Sequence, residues 1–83
     1  MKTYRSREVV CAEIKQRALA LLEIENLVYA ESCTRAYAIR DALCRAISEQ
    51  PIAPGRRTAM CKADFNRAEK EIRRWILDQR SAA

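Results

Sequence analysis

The sequence predicts an all-α fold of three helices. Three observations carry this: one Gly and two Pro in 83 residues, apolar residues recurring at a 3.6-residue period in three separate stretches, and acid–base pairs three and four residues apart throughout the last stretch. A hydrophobic fraction of 49% alongside 33% charged residues belongs to a globular chain, too apolar for a disordered one. The expectation is one domain over residues 1–83, a three-helix bundle or a helical hairpin plus a third helix, and dimeric.

Helix one is predicted over 6–30. Ser6 supplies the N-cap, and Val10, Ile14, Ala18, Leu21, Ile24 and Val28 follow the period. Val9, Ala20 and Leu27 widen the apolar arc on one side, Cys11, Leu22 and Tyr29 on the other, and Leu19 points almost directly opposite. A helix apolar on nearly every side needs burial on more than one side. A chain this short has a marginal core of its own. Together these predict a homodimer built on helix one.

Helix two is predicted over 33–49, along Cys33, Ala36, Tyr37, Leu43, Cys44 and Ile47. Asn26 is a candidate C-cap and Ser32 or Thr34 a candidate N-cap, which puts the break near 30–33. No Gly or Pro separates the two segments, so a single helix running to Glu49 is the competing expectation. Pro51 ends the segment, because it lacks an N–H and disfavours helix at Gln50.

Residues 50–57 are predicted as a loop in which Pro54-Gly55 takes the two centre positions of a type II turn. Thr58 then caps helix three, predicted over 58–80, with Cys61, Phe65, Ala68, Ile72, Trp75 and Ile76 inward and a frayed tail at 81–83. The pairs Asp64–Arg67, Arg67–Glu71, Glu69–Arg73, Glu71–Arg74 and Arg74–Asp78 are expected to lace its sides, at about 0.3 kcal/mol each.

Enzymatic chemistry is not expected. The chain has no His and therefore no ready acid–base group near neutrality. A single Gly cannot build a phosphate-cradling loop, and no Ser or Cys stands in a nucleophile motif. Cys11, Cys33, Cys44 and Cys61 lack the close C-x₂₋₄-C pairing of a structural zinc site. Each falls on the apolar arc of its helix, so they are read as small core hydrophobes, with no metal and no cofactor.

Two surfaces remain. Net charge is +5, spread along the chain without a basic tail. On helix three, Lys62, Asn66, Lys70, Arg73 and Arg80 share one arc of about 80°. Arg56 and Arg57 stand just ahead of it. Such a face tracks phosphates, unless its arginines bridge to the neighbouring carboxylates.

The other surface comes from charges set inside apolar stripes: Arg17, Glu25 and Arg40. A buried charge needs a partner. Arg17–Glu13 and Arg40–Glu25 bridges at a wet seam would provide one. Alternatively these positions line a protein interface with Leu19, Leu22 and Tyr29.

Leu43-Cys44-Arg45-Ala46, Arg56-Arg57 and Lys62-Ala63-Asp64-Phe65 are similar to a stretch of the AraC negative regulators, short helical proteins that bind and block transcription activators. The resemblance runs only from Leu43 to Phe65. That family's tryptophans in this region are absent, as is a cysteine just after Phe65. No membership is read from it.

The functional expectation is a small non-enzymatic regulatory or inhibitory binding protein, of the kind carried by phages or mobile elements. It would act through the helical interface of Arg17, Leu19, Leu22, Glu25, Tyr29 and Arg40 on a protein partner such as a host transcription or defence factor. The alternative is a nucleic-acid-binding regulator using Arg56, Arg57, Lys62, Asn66, Lys70, Arg73 and Arg80. The expected location is cytoplasmic, on an N-terminus that leads straight into charged residues, and no membrane partner is expected.

Overall fold

The computed structural model describes residues 5–28 and 30–82, and places in them α1 (Arg7–Ile24), α2 (Ser32–Ser48) and α3 (Lys62–Ala82). No strand occurs among the described residues. No helix is long and apolar enough to cross a membrane.

Ser6 caps α1 as expected, its hydroxyl accepting from the Val9 N–H at 3.4 Å. The other end stops earlier than predicted, at Ile24, and the cause is local. Asn26 adopts φ 58°, its N–H donates to the Glu23 carbonyl at 3.1 Å, and the Leu27 N–H donates to the Leu22 carbonyl at 2.8 Å. These two bonds make a Schellman motif with asparagine in the left-handed position, closed by Leu22 and Leu27 in the same apolar cluster. The chain turns back here, so the two expected helices are separate and the competing expectation of one helix to Glu49 fails. The break spans 25–31, opening earlier than the expected 30–33. Val28, expected on the helical stripe, instead folds from the connection into the core.

Helix α2 runs close to its expected span and ends before Pro51. At Pro54-Gly55 the Arg56 N–H donates to the Ala53 carbonyl at 3.1 Å and Gly55 takes φ 81°, the predicted type II turn. Helix three begins at Lys62, four residues later than expected, and continues to Ala82 where a frayed tail was expected. Thr58 does not cap it: its hydroxyl accepts from the Met60 N–H at 3.4 Å in a local bend. That bend carries Met60 into the core, and the helical bonding starts at the Cys61 carbonyl, which accepts from Phe65 at 2.9 Å.

Directions follow from the side-chain ties. Arg5, just ahead of α1, reaches Gln50, just past α2, at 3.3 Å, so these helices are antiparallel. Arg7 meets Asp64 and Lys15 meets Glu71, so α1 and α3 run parallel. The molecule is an elongated up-down-up bundle, 44 × 19 × 19 Å. Its core is made by Ile14, Ala18 and Leu22 of α1, Ile39, Ala42, Leu43 and Ala46 of α2, and Ile72 and Ile76 of α3, all fully buried. Ala18 and Ala42, with nothing beyond Cβ, suit the closest helix approach.

The two other helices cover much of the apolar arc of α1, but Val9 and Ile24 stay exposed, at 44% and 74%. Leu19, which points away from the α1 stripe, is half-buried and packs on the same core. The reading of all four cysteines as core residues is also corrected. Cys11 is half-buried, whereas Cys33, Cys44 and Cys61 are exposed.

Candidate nucleic-acid interface

The last helix carries the charge asymmetry. Three of its four acids, Asp64, Glu69 and Glu71, pair with cations on the other two helices. Arg7 of α1 donates Nε to Asp64 Oδ2 and Nη2 to Asp64 Oδ1, both at 2.7 Å. Asp64 is 6% exposed. Arg7's hydrogen bonds hold the Asp64 carboxyl far below the usual carboxylate range, outweighing the burial that pushes it up. The thiols of Cys61 and Cys11 reinforce this, Cys11 Sγ lying 3.5 Å from Oδ2. Burial first, then Asp64, pushes the Cys11 thiol up.

One turn on, Arg40 of α2 donates to Glu69 Oε2 at 2.7 Å, and the bond to Glu69 raises the Arg40 guanidinium. Glu71 accepts from Lys15 Nζ at 2.8 Å. These tertiary partners replace the expected lattice along α3. Of its five predicted pairs only Glu69–Arg73 is present, at 3.6 Å. A cation on a neighbouring helix serves two elements at once, whereas an exposed i,i+4 pair is worth only about 0.3–0.5 kcal/mol.

The consequence is a face of cations with few acids beside them. Arg56, Arg57, Lys62, Arg67, Lys70, Arg73, Arg74 and Arg80 are all exposed, as is Asn66. Ala63, Asn66, Arg67, Glu69, Lys70 and Arg73 line a shallow open depression of about 560 Å³ on α3. A second, of about 320 Å³, lies by Arg7, Arg56, Arg57 and Cys61 ahead of the helix. Arg67 and Arg74 belong to this face but were not among the predicted residues. The sequence assigned them to Asp64, Glu71 and Asp78; Arg67 shares a groove with Asp64 and Glu71, and Arg74 a cleft with Glu71 and Asp78, without ion pairs between them. Asp78 is exposed near the C-terminal end and interrupts the positive surface before Arg80.

The residues predicted for the helix-one interface do not come together. Leu22 is 0% exposed, inside the chain's own core, and so offers no surface to a partner. Arg17 is exposed and bonds Glu49 at 3.1 Å in place of Glu13. Glu25 has left the helix and pairs with Arg45, while Glu13 pairs with Arg5. Arg40 is engaged by Glu69 in place of Glu25. Tyr29 lies outside the described residues. Leu19 faces an opening. With Trp75 and Ala20 it lines a cleft of about 530 Å³ between α1 and α3, rimmed by Lys15, Glu23, Arg74 and Asp78.

Among the described residues no group of His, Cys, Asp or Glu is placed to hold a metal ion. No protein-family model, curated protein or solved structure matches this chain.

Proposed function

We propose that this protein is a nucleic-acid-binding regulator that grips the phosphate backbone with the outer face of α3 and the Arg56–Arg57 loop. The observation that supports this is the inward turn of Asp64, Glu69 and Glu71 onto Arg7, Arg40 and Lys15. A solvated surface would have those acids neutralising the arginines beside them; here the Glu69–Arg73 contact at 3.6 Å is the one such pair of the five expected, and the other outward cations are left to meet phosphates. The test is fluorescence anisotropy with labelled DNA and RNA over a salt series. Affinity should fall steeply with salt, and Lys70→Ala with Arg73→Ala should weaken it and reduce the salt slope by about one per lost phosphate contact. No binding to any nucleic acid at low salt would remove the proposal.

A second reading keeps the protein-binding role. The Leu19–Trp75 cleft lies between α1 and α3 and has an apolar floor with a charged rim, suited to an apolar segment of a protein partner. Homodimerisation through the same cleft is part of this reading. Light scattering at micromolar concentration should then give a mass above that of one chain, and Leu19→Arg should return it to a monomer.

A further inference from the structure

Building on the nucleic-acid reading, we infer that the ligand is double-stranded DNA, with α3 lying in its major groove as the reading helix and Asn66 and Lys70 addressing the bases. The arrangement of side chains on α3 carries this. At about 100° per residue, Lys62 and Arg73 form one row and Arg67 and Arg74 a second, roughly 120° further round the cylinder. All four are exposed. Between the rows lie Ala63, Asn66 and Lys70, also exposed, lining the depression on the helix, with Glu69 at its edge beside Arg73.

Two flanking cation rows and a narrow strip of small or polar groups match the section of a helix seated between two phosphate strands. Each row meets one backbone and the strip meets base edges. The chemistry of the strip is apt: the Asn66 amide pairs with adenine through two hydrogen bonds, Lys70 donates to guanine O6 and N7, and the Ala63 methyl packs on a thymine methyl. From Lys62 to Arg74 the face extends about 18 Å along the helix axis, before Asp78 turns the surface negative. Arg56 and Arg57, ahead of the first turn, are positioned for the adjoining phosphates.

The same face argues against the other nucleic acids. Single strands are held by aromatic platforms, yet Phe65 and Trp75 pack against the core and the strip holds no aromatic. The major groove of an RNA helix is too deep and narrow for side chains to read.

The experiment is selection from a pool of short DNA duplexes with a randomised centre, followed by anisotropy on the enriched duplex, a scrambled duplex, the single strand and the matching RNA duplex. Enrichment of a motif containing adenine is expected. Asn66→Ala should cut the preference for the enriched over the scrambled duplex by about tenfold. Binding to the scrambled duplex, and its salt slope, should stay unchanged. Because Asn66 is exposed, circular dichroism should match the parent protein. A pool that yields no motif, a preference indifferent to Asn66→Ala, or tighter binding to RNA or the single strand would overturn the inference and leave backbone binding standing. Failure to bind any probe removes both.

Discussion

Arg7, in the first turn of α1, grips the Asp64 carboxylate in the first turn of α3 by a two-pronged hydrogen bond, both prongs 2.7 Å long. The pair joins the two parallel helices at their N-terminal ends, and it sets the acid limit of the fold. In the unfolded chain Asp64 titrates near its usual value of about 3.9; in the folded protein it titrates well below that. The folded state therefore binds fewer protons. The stabilisation is complete above about pH 4 and is lost as pH falls from there toward the folded-state value. Thermal melts of the parent and of Asp64→Asn should differ by several degrees near neutrality and converge in acid. A gap that does not narrow below pH 4 would contradict this assignment.

Asn26 and Gly55 both adopt positive φ, at 58° and 81°. Asn26→Ala should destabilise by about 1 kcal/mol, since a plain L side chain resists the left-handed region, and Asn26→Gly should be neutral or slightly stabilising. At Gly55 an added Cβ meets no atom within 4 Å. Gly55→Ala should thus cost about 1 kcal/mol through backbone strain alone. Urea denaturation measures both.

The two leucines three residues apart on α1 should separate sharply. Leu22 is fully buried, and Leu22→Ala should cost about 2–5 kcal/mol. Leu19 lines an open cleft, where truncation leaves no sealed cavity, so Leu19→Ala should cost about 1 kcal/mol or less. Equal losses in denaturation midpoint would mean that the cleft is closed in solution.

Thiol titration tests the placement of the cysteines. Cys33, Cys44 and Cys61 are exposed and should react promptly with a disulfide reagent on the native protein. Cys11, half-buried beside Asp64 and held as the neutral thiol, should lag until denaturant is added. Four equally fast thiols would place Cys11 at the surface.

The features that the sequence made plain are those set by neighbours in the chain. Pro51 and Pro54-Gly55 act through their own backbone geometry, and Ser6 and Asn26 through bonds to residues a few positions away. What it hid depends on partners far along the chain. Thr58 is a sound cap by type, yet Met60 must reach the core, and the bend that takes it there delays α3 to Lys62. Asp64, Glu69 and Glu71 each have a cation within four residues, and each is drawn chiefly to one on another helix. The basic face was therefore visible in outline, but its missing counter-charges were not. Leu22 shows the same limit: on a helix apolar nearly all round, azimuth alone does not say which side the neighbours cover.

The unequal lengths of the two connections have a consequence in time. α1 and α2 are joined through residues 25–31 and share the most extensive helix contact, whereas α3 is tethered through residues 49–61 and packs less on either partner. Closing the shorter loop costs less chain entropy, so the hairpin assembles first and α3 docks last. The helix that arrives last is also the first to detach in native fluctuations. Amide protons of α3 should then exchange before those of α1 and α2, and a duplex that recognises only docked α3 would slow that exchange.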